Sequence, residues 1–575
     1  MWLINNETLA LEEFIGHSIP PYGILSHTWL DGEEVSFQEM RQQPGIHGKR
    51  GWEKIEMTCR LAAQDGLKYA WVDTCCIDKS SSAELTEAIN SMYNWYKRSV
   101  RCYAHLSDLR TVITMESLSD PEVVGCCRWF QRGWTLQELI APSDIKFYNR
   151  NWEYCFDKSD TAYQLGMISS VDPDILSHSK DLSTISVAQK MSWAARRCTT
   201  RTEDTAYCLL GIFDINMPLL YGEGEKAFSR LQAEIIRACP DPSILAWTYP
   251  KDGDDLGMQT RFSGVLAPSP AFFASCRHME KLDGYFLPDF SMSNRGIKLR
   301  AKFGRGSFEG EDGFGLILPV GRYLSEDFCI QLRNMGDGCF YRQNPGSLLS
   351  ASSSYLPPWM SRITFEPYLA TQLPGKSFTK SRECISASRS RCMQFHVSSR
   401  MEIYNNWPWV NWDDVDTVFF TPTPSYPGWA ALKVVCVMPR FDGYCPHESF
   451  DFLFYTFYWG ETLEMPPECG VHRLFGTLAD RHLEELNTRA VEEKWDAYWV
   501  SNRLRMNETP QHSVIIGPSS KQSTLLLKYE LQVVRDDTVC RGTFRRVKFY
   551  WEIVPKNEVP TLTDRKWANI MLHSR

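Results

Sequence analysis

Between Tyr22 and Asn149 the spacing of apolar residues alternates between two patterns. Short apolar runs of strand length occur at YGILSHTW (22–29), YAWVDTCCI (69–77), RCYAHL (101–106) and DIKFYN (144–149). The intervening residues 48–66 and 84–99 repeat their apolar side chains at helical spacing. Strands that alternate with helices predict an α/β domain with an open parallel sheet of the flavodoxin type.

Residues from about 150 to 245 have the amphipathic pattern of helices, most clearly at 185–198, 203–213 and 221–239. The last of these begins YGEGEK, and its glycines resemble a phosphate-binding loop. Lys226, however, is followed by alanine rather than by the serine or threonine that would hold a metal ion. The glycines are therefore interpreted as the start of a helix.

Beyond about residue 250 the pattern changes to short β-branched and aromatic runs bounded by glycine, proline, asparagine or aspartate. The runs are RGIKLRAKF (295–303), GFGLILPVG (313–321), DFCIQLRN (327–334), ALKVVCVMPRF (431–441), FDFLFYTFYWG (450–460), STLLLKYELQVV (523–534) and RRVKFYWEIV (545–554). They predict one or two domains of sandwich or barrel-like architecture.

A chain of 575 residues is longer than a single hydrophobic core usually supports, so we expect several domains. The patterns place an α/β domain at residues 1–150 and a helical segment that completes or follows it at 151–250. Two β-rich domains are predicted at 251–375 and 390–575. The serine- and arginine-rich residues 376–391 are the predicted linker between these two.

Composition narrows the class of protein. The net charge of −8 is diffuse and no basic stripe marks a nucleic-acid-binding surface, so we expect no nucleic-acid partner. There is no signal sequence and no run of eighteen apolar residues, which predicts a cytoplasmic protein without a membrane span. The 19 cysteines include no Cys-x-x-Cys pair, which disfavours a zinc site, and we expect neither a metal ion nor a bound cofactor.

Polar residues follow the first two predicted strands of the α/β domain. The first strand runs into Ser26 and Trp29, and the second runs into Asp73, Cys76 and Asp78. The carboxyl ends of parallel strands meet at one edge of the sheet, so these side chains are candidates for a common ligand pocket. Purely structural roles are equally compatible with the pattern, because the aspartates could cap turns, the tryptophan could belong to the core, and a cysteine nucleophile would need a basic partner.

The stretch RGWTLQELIAP (132–142) permits two interpretations of Glu138. Thr135 and Glu138 are three residues apart, as in a capping box, and Pro142 discourages further helix. Trp134 and Glu138 are four residues apart and share a helix face, as a pocket wall would. Spacing alone favours the helix cap and leaves the catalytic carboxylate as the alternative.

Taken in order, YGILSHTW, YAWVDTCCIDK, MYNWYKRS, RWFQRGWTLQELIAP and FYNRNW resemble the fungal heterokaryon incompatibility (HET) domain. The resemblance extends through the helical segment to about residue 250. It implies a role in fungal non-self recognition and cell death, and a TIR-like α/β core. Some TIR domains cleave the nicotinamide glycosidic bond of NAD+, and Glu138 resembles their catalytic glutamate.

The resemblance also implies roles for the other candidates. NAD+ would be the substrate, with Trp134 or Trp29 stacking on the base, and Ser26 and Asp73 hydrogen bonding to ribose or phosphate. The first strand is not followed by the G-x-G-x-x-G pattern, which disfavours a dehydrogenase. The alternative is a non-catalytic module that self-associates, answers an unknown protein trigger and carries a C-terminal sensor region. The aromatic stretch YNNWPWVNW (404–412) is a candidate ligand platform in that region, although ordinary β-core is the favoured interpretation.

Overall fold

The structure is a computed structural model. It describes residues 1–16, 18–42, 48–113, 118, 124–249, 262–281, 290–299, 301–308, 311–318, 320–321, 328–334, 339–350, 363–365, 368–371, 378–379, 392–396, 401–407, 412–413, 418–420, 430–437, 449–458, 468–474, 513–518, 523–535 and 543–555. Contacts divide the chain into two compact units. The first contains Met1–Gly304 with Gly315–Gln331 and Arg342–Phe378, and the second contains Arg305–Phe314, Leu332–Tyr341 and Thr379–Arg575.

A seven-stranded mixed sheet forms the N-terminal part of the first unit. Its strands are β1 (Trp2–Asn5), β2 (Leu11–Glu13), β3 (Tyr22–His27), β4 (Tyr69–Trp71), β5 (Arg101–His105), β6 (Ile145–Tyr148) and β7 (Tyr154–Asp157). They lie in the order β2-β1-β4-β3-β5-β6-β7. The four central strands run parallel, whereas β1, β2 and β7 pair antiparallel at the two sides.

Helices connect the strands and continue beyond them. They are α1 (Phe37–Gln42), α2 (Arg50–Gln64), α3 (Ser82–Arg98), α4 (Arg128–Gln131), α5 (Thr135–Ile140), α6 (Ala162–Ser169), α7 (Pro173–Leu176), α8 (Val187–Ala194), α9 (Asp204–Tyr207), α10 (Leu210–Phe213) and α11 (Lys226–Ala238). Short 3-10 helices occur at Leu182–Thr184, Pro242–Leu245 and Pro270–Cys276. Ser81 caps the start of helix α3, because its hydroxyl accepts the Glu84 amide and so satisfies one free N–H of the first turn.

The order of the parallel strands determines where a ligand could bind. The chain passes from β3 to its neighbour β4 and then returns across β3 to β5 on the other side. At such a reversal the connecting loops leave in opposite directions and open a crevice at the carboxyl ends of the strands. Here that edge lies just beyond His27 of β3 and His105 of β5, which are register partners.

All four predicted strands and both predicted crossover helices of the α/β domain are confirmed. The second strand is shorter than predicted and ends at Trp71, because residues 73–77 turn instead of continuing the ladder. Strands β1, β2 and β7 were not predicted. They are three or four residues long, which is too short for a periodic pattern to be recognised.

The predicted helical character of residues 150–245 is also present. The glycine loop before α11 contains Gly222 and Gly224, both with positive φ. Its amides donate to the Oε1 atom of Glu203, at 2.8 Å for Gly222 and 3.0 Å for Gly224. A carboxylate of the chain itself therefore occupies the position that a phosphate would take in a phosphate-binding loop.

The remainder is β-rich, as predicted. An 11-stranded sheet contains Phe262–Ser263, Phe290–Ser293, Gly296–Leu299, Ala301–Phe308, Glu311–Leu318, Phe328–Asn334, Cys339–Gln343, Leu349–Ser350, Ile363–Phe365, Tyr368–Leu369 and Phe378–Thr379. Glu280–Lys281 pairs with Val320–Gly321. A six-stranded sheet contains Cys392–His396, Trp412–Asp413, Val418–Phe420, Ser513–Pro518, Ser523–Arg535 and Thr543–Pro555, and a four-stranded sheet contains Met401–Trp407, Ala430–Val437, Ser449–Tyr458 and Glu468–Leu474.

A sandwich or barrel arrangement of these sheets stays a prediction. Most of the predicted linker, residues 380–391, and the centre of the aromatic stretch, residues 408–411, lie outside the described residues. Among the helices that the structure describes, none combines the length and the apolar composition needed to cross a lipid bilayer.

Candidate functional site

The carboxyl group of Glu138 faces the central strand of the sheet. Helix α5, which carries it, is buried at all six positions, and Glu138 itself is 5% exposed. The Oγ atom of Ser26 in β3 donates a hydrogen bond to Glu138 Oε2 at 2.5 Å. The indole Nε1 of Trp129 donates in turn to Ser26 Oγ at 2.8 Å. Trp129, Ser26 and Glu138 therefore form a buried hydrogen-bonded chain.

The capping-box prediction for this segment is wrong. Thr135 is the first residue of α5 rather than its cap, and its hydroxyl donates to the carbonyl oxygens of Trp129 and Arg132. Trp134, at the cap position, already has helical φ and ψ angles of −62° and −37°, and no side chain caps the helix start. Because α5 packs against β3 and α3, Glu138 points into that contact and does not reach back to its own helix start.

Burial changes the protonation of Glu138. Desolvation raises its pKa from 4.5 to about 8, and the negative charge of Asp73 acts in the same direction, against the donation from Ser26. Glu138 is therefore a neutral carboxylic acid at pH 7. The hydroxyl of Tyr96 lies beside it and already donates its single proton to the Leu25 carbonyl at 2.9 Å, so it can only accept from Glu138.

Asp73 holds two side chains from the end of β3. Its Oδ1 lies 2.9 Å from His27 Nε2, and its Oδ2 accepts from Trp29 Nε1 at 2.9 Å. Burial raises the pKa of Asp73, but the hydrogen bond and charge of His27, with the nearby Lys79, lower it more, to about 2. Asp73 is therefore ionised and fixes the orientation of both rings.

Lys54 of helix α2 also belongs to this cluster. It is 3% exposed, and its ammonium contacts the Glu34 carboxylate, the Thr28 carbonyl at 3.1 Å and His27 Nδ1 at 3.1 Å. Burial lowers the pKa of Lys54, whereas Glu34 opposes that shift. The two ring nitrogens of His27 thus link the Lys54 ammonium to the Asp73 carboxylate.

A cavity of about 160 Å³ opens beside Trp29. Its lining is Trp29, Glu34, Val35, Ser36, Phe37, Gln38, Thr74, Ile77, Asp78, Lys79 and Ser80. The ammonium of Lys79 lies 3.7 Å from the centroid of the Trp29 ring. Thr74 Oγ1 and Glu34 Oε2 are buried and have no hydrogen-bond partner among the described residues. The cavity therefore combines an aromatic face with unsatisfied oxygen atoms.

The candidate residues from the sequence separate into two groups. Ser26, Trp29 and Asp73 lie with Glu138 at the carboxyl edge of the sheet. The other three candidates make different contacts: Asp78 contacts a turn, Cys76 the core and Trp134 a later helix.

Asp78 lines the cavity but caps a turn, because its Oδ1 accepts the amide and the hydroxyl of Ser80 at 2.9 and 2.6 Å. Cys76 is buried in the core, where its sulfur accepts the Val72 amide at 3.5 Å. Trp134 hydrogen bonds to Asp204, so it does not form a pocket wall with Glu138, contrary to the sequence-based expectation.

Sequence reasoning missed Lys54, Tyr96 and Trp129 as members of the site. Lys54 had a recognisable signal, because it shares the apolar face of α2 with Gly51, Ile55 and Thr58. A lysine on an apolar helix face indicates a buried charge that needs a partner. Tyr96 and Trp129 had no such signal, since buried aromatic residues are typical of any core.

Together, the open α/β sheet, the reversal of strand order and the polar cluster at the carboxyl edge define an α/β domain with a candidate ligand site at its switch point. Residues 22–124 match the family model described as "Heterokaryon incompatibility protein (HET)". The chain thus carries a HET domain.

One curated relative extends the match. The chain is 46% identical over 222 residues to "Vegetative incompatibility protein HET-E-1" of Podospora anserina, over 38% of this chain and 16% of that relative. The aligned part is thus less than a fifth of the relative's own length. No solved structure matches the chain. No group of three or more His, Cys, Asp or Glu side chains in the described part of the chain is placed to hold a metal ion.

Proposed function

We propose that this chain acts in heterokaryon incompatibility, in fungal non-self recognition that leads to cell death. The support is the HET family match and the 46% identity to a vegetative incompatibility protein. We further propose that its α/β domain is TIR-like and hydrolyses the nicotinamide glycosidic bond of NAD+. The order of the four parallel strands, second-first-third-fourth, is that of flavodoxin-like sheets and supports this fold type.

One observation carries the enzymatic proposal. Glu138 is a buried carboxyl group with a pKa of about 8, at the carboxyl edge of the sheet and held by Ser26 rather than by its own helix. A strongly shifted pKa in such a position is typical of functional carboxyl groups. Structural carboxylates more often pair with a cation, and Glu138 forms no ion pair with a described residue.

The chemistry requires Glu138 to become ionised when substrate binds. The nicotinamide ring of NAD+ carries a positive charge, which favours the carboxylate over the acid. The bond between C1′ of the ribose and the ring nitrogen then breaks, and nicotinamide leaves with the electron pair. The carboxylate stabilises the positive charge left on the ribose. Water adds to C1′ and loses a proton, giving nicotinamide, ADP-ribose and H+.

In the proposed complex the nicotinamide ring binds in the cavity beside Trp29. With a volume of about 160 Å³ it has room for one ring, whereas sites for whole small-molecule ligands usually measure about 300–1,000 Å³. In the proposed complex the nicotinamide ring replaces the Lys79 ammonium on the Trp29 face, and Thr74 hydrogen bonds to its amide. The rest of the dinucleotide lies outside this cavity.

The direct test incubates the purified full chain with NAD+ and measures nicotinamide and ADP-ribose by chromatography. Glu138→Gln should reduce the rate by about 10²–10³, the usual effect of removing one preorganised electrostatic group. The amide is isosteric with the protonated acid, so the variant should fold normally. Glu203→Gln is the matched control, because this buried glutamate binds the glycine loop before α11. Equal rates for wild type and Glu138→Gln would remove Glu138 from the mechanism.

A second candidate function is a non-catalytic module that self-associates and transmits a death signal through contacts. The observation in its favour is that Glu138 does not line the cavity beside Trp29 and has its hydrogen bonds satisfied internally. Expression in fungal cells separates the two candidates when viability and cellular NAD+ are measured together. A contact-only signal predicts equal toxicity for wild type and Glu138→Gln with no loss of NAD+, whereas hydrolysis predicts that the variant spares both.

A further inference from the structure

A second cavity, of about 110 Å³, lies among helices α4, α6 and α8 and the segment around Arg277. Its lining is Phe130, Ile168, Ser169, Ser170, Ser192, Trp193, Ala195, Arg196, Arg197, Ala274 and Arg277. None of these residues was singled out in the sequence, and none belongs to the site around Glu138. Three arginines contribute to the wall, and none of the described lining residues is acidic.

Two residues that line this cavity each carry a buried hydrogen-bond donor with no partner among the described residues. One is the indole Nε1 of Trp193, a residue that is 1% exposed. The other is Nη2 of Arg197, whose atom is also buried. An unsatisfied buried N–H loses its hydration without compensation, at a substantial cost in folding free energy, so such groups usually mark a missing partner.

The guanidinium of Arg197 is positioned by the chain on its other side. Its Nη1 donates to the Arg132 carbonyl at 2.8 Å and to Thr135 Oγ1 at 3.1 Å. A short pairing fixes this arrangement, because the Gly133 amide donates to the Cys198 carbonyl and the Cys198 amide donates to the Gln131 carbonyl. Gly133 permits the approach, since a Cβ there would lie 2.6 Å from Thr199. Nη2 has no role in this network and no hydrogen-bond partner among the described residues.

The charge at the cavity is also uncompensated. Arg197 forms no ion pair with a described residue, and burial lowers its pKa to about 10, so it remains charged. Glu138, whose negative charge would raise the Arg197 pKa, is protonated at pH 7. Arg277 comes from a different segment of the chain and donates to the Gly166 carbonyl at 2.9 Å.

We propose that this cavity binds a phosphate-class oxyanion, with Trp193 Nε1 and Arg197 Nη2 as donors and with Arg196 and Arg277 supplying positive charge. A tetrahedral anion accepts hydrogen bonds from several directions, which matches donors on two segments of the chain, 193–197 and Arg277, and arginine is the preferred side chain for phosphate. The volume of about 110 Å³ suits a group of the size of one phosphate.

The test is calorimetric titration of the full chain with inorganic phosphate at constant ionic strength, accompanied by thermal unfolding. A ligand that binds only the folded state raises Tm as its concentration rises. Wild-type protein should show saturable binding. A parallel titration with AMP identifies the source of the group, since a phosphate monoester that binds more tightly than free phosphate indicates a small organic phosphate. Binding of either one supports the proposal, and binding of neither overturns it.

Trp193→Phe removes the indole N–H and keeps an aromatic ring in place. It should weaken phosphate binding about tenfold, because a hydrogen bond to a charged ligand is lost. In the free protein this substitution removes no hydrogen bond, because the Trp193 N–H has no partner among the described residues. The Tm of the free protein should therefore not fall for that reason. Arg196→Gln, at an exposed position, should also weaken binding.

Trp71→Phe is the matched control, because Trp71 is also fully buried with an unpartnered Nε1 but lines neither cavity. It should bind phosphate with wild-type affinity. If Trp193→Phe and Arg196→Gln also bind phosphate with wild-type affinity, the assignment of this cavity is overturned.

Discussion

Ser26 Oγ and Glu138 Oε2 are 2.5 Å apart, although 112 positions separate the two residues in the chain. The contact joins the central strand β3 to the buried helix α5. It also explains why the serine is fully buried within a strand, since its hydroxyl accepts from Trp129 while donating to Glu138. The serine thus donates a direct hydrogen bond to this carboxyl group.

Ser26→Ala should therefore affect both stability and protonation. It leaves the Trp129 indole N–H without its acceptor, which costs about 1–3 kcal/mol of unfolding free energy. It also removes a hydrogen bond that lowers the pKa of Glu138, so that pKa should rise above 8. Thr161→Val is the control, since the Thr161 hydroxyl is equally buried and donates to the Asp157 carbonyl instead. A pH dependence of stability that stays unchanged in Ser26→Ala would contradict the assigned role.

Glu138→Gln should alter how stability depends on pH. The pKa of Glu138 is 4.5 in the unfolded chain and about 8 in the folded protein. Between these two pH values Glu138 is protonated in the folded state and ionised in the unfolded state. Wild-type stability relative to the variant is therefore highest below about pH 4.5 and falls as pH rises through 8, by an amount on the order of a few kcal/mol. Urea unfolding at pH 5 and pH 8.5 measures the difference. Parallel curves for the two proteins would show that Glu138 is not the responsible group.

If the protein hydrolyses NAD+, the ionisation of Glu138 should also determine how kcat/KM depends on pH. The pH dependence of kcat/KM reports the ionisation of the free enzyme, and the reaction needs the Glu138 carboxylate. We expect kcat/KM to rise with pH towards a plateau above about pH 8. Asp73→Asn should shift this rise to lower pH, because it removes a negative charge that raises the Glu138 pKa. A profile already flat at pH 6 in the wild type would contradict this assignment.

Lys79→Gln should expose the face of Trp29. The ammonium now covers the ring at 3.7 Å, a cation–π contact worth about 0.5–1 kcal/mol at an exposed position. Without it, a cationic ring should bind there more tightly by a few-fold, which titration with 1-methylnicotinamide can measure by calorimetry. Lys79→Arg keeps a cation over the ring and should not gain affinity. Equal affinities in Lys79→Gln and Lys79→Arg would exclude competition for the indole face.

Gly211→Ala should destabilise the first unit. A Cβ at Gly211 would lie 2.1 Å from the Cβ of Tyr93, where α10 packs against α3, and neither backbone can move far in a packed core. The expected loss is about 1–3 kcal/mol in unfolding free energy, the usual cost of overpacking. Gly48→Ala is the control, because it would meet no atom within 4 Å and should remain within about 0.5 kcal/mol of wild type.

The sequence predicted the central sheet well because each of its elements carries its own periodic signal. The runs that became β3, β5 and β6 are bounded by turn residues, and α2 and α3 have clear amphipathic faces. The shared edge of β3 and β4 follows from parallel pairing alone, so Ser26, Trp29 and Asp73 could be grouped without coordinates.

The orientation of Glu138 could not be predicted in this way. A helical wheel assigns one buried face to a helix, whereas α5 is enclosed on all sides and buries its polar residues as well. Local spacing therefore suggested a cap, and a contact across 112 positions determined the outcome. The Lys54–His27–Asp73 network also depends on three separate elements, which no local pattern reports.

The two ends of the Arg197 guanidinium connect the two sites. Nη1 contacts the start of the helix that carries Glu138, the residue also lines the second cavity, and the Arg197 charge attracts the ionised form of Glu138. An oxyanion that neutralises Arg197 would make the Glu138 proton harder to remove. By thermodynamic reciprocity, ionisation of Glu138 would weaken oxyanion binding by the same factor, so phosphate would act as an inhibitor of the proposed reaction that is relieved as pH rises.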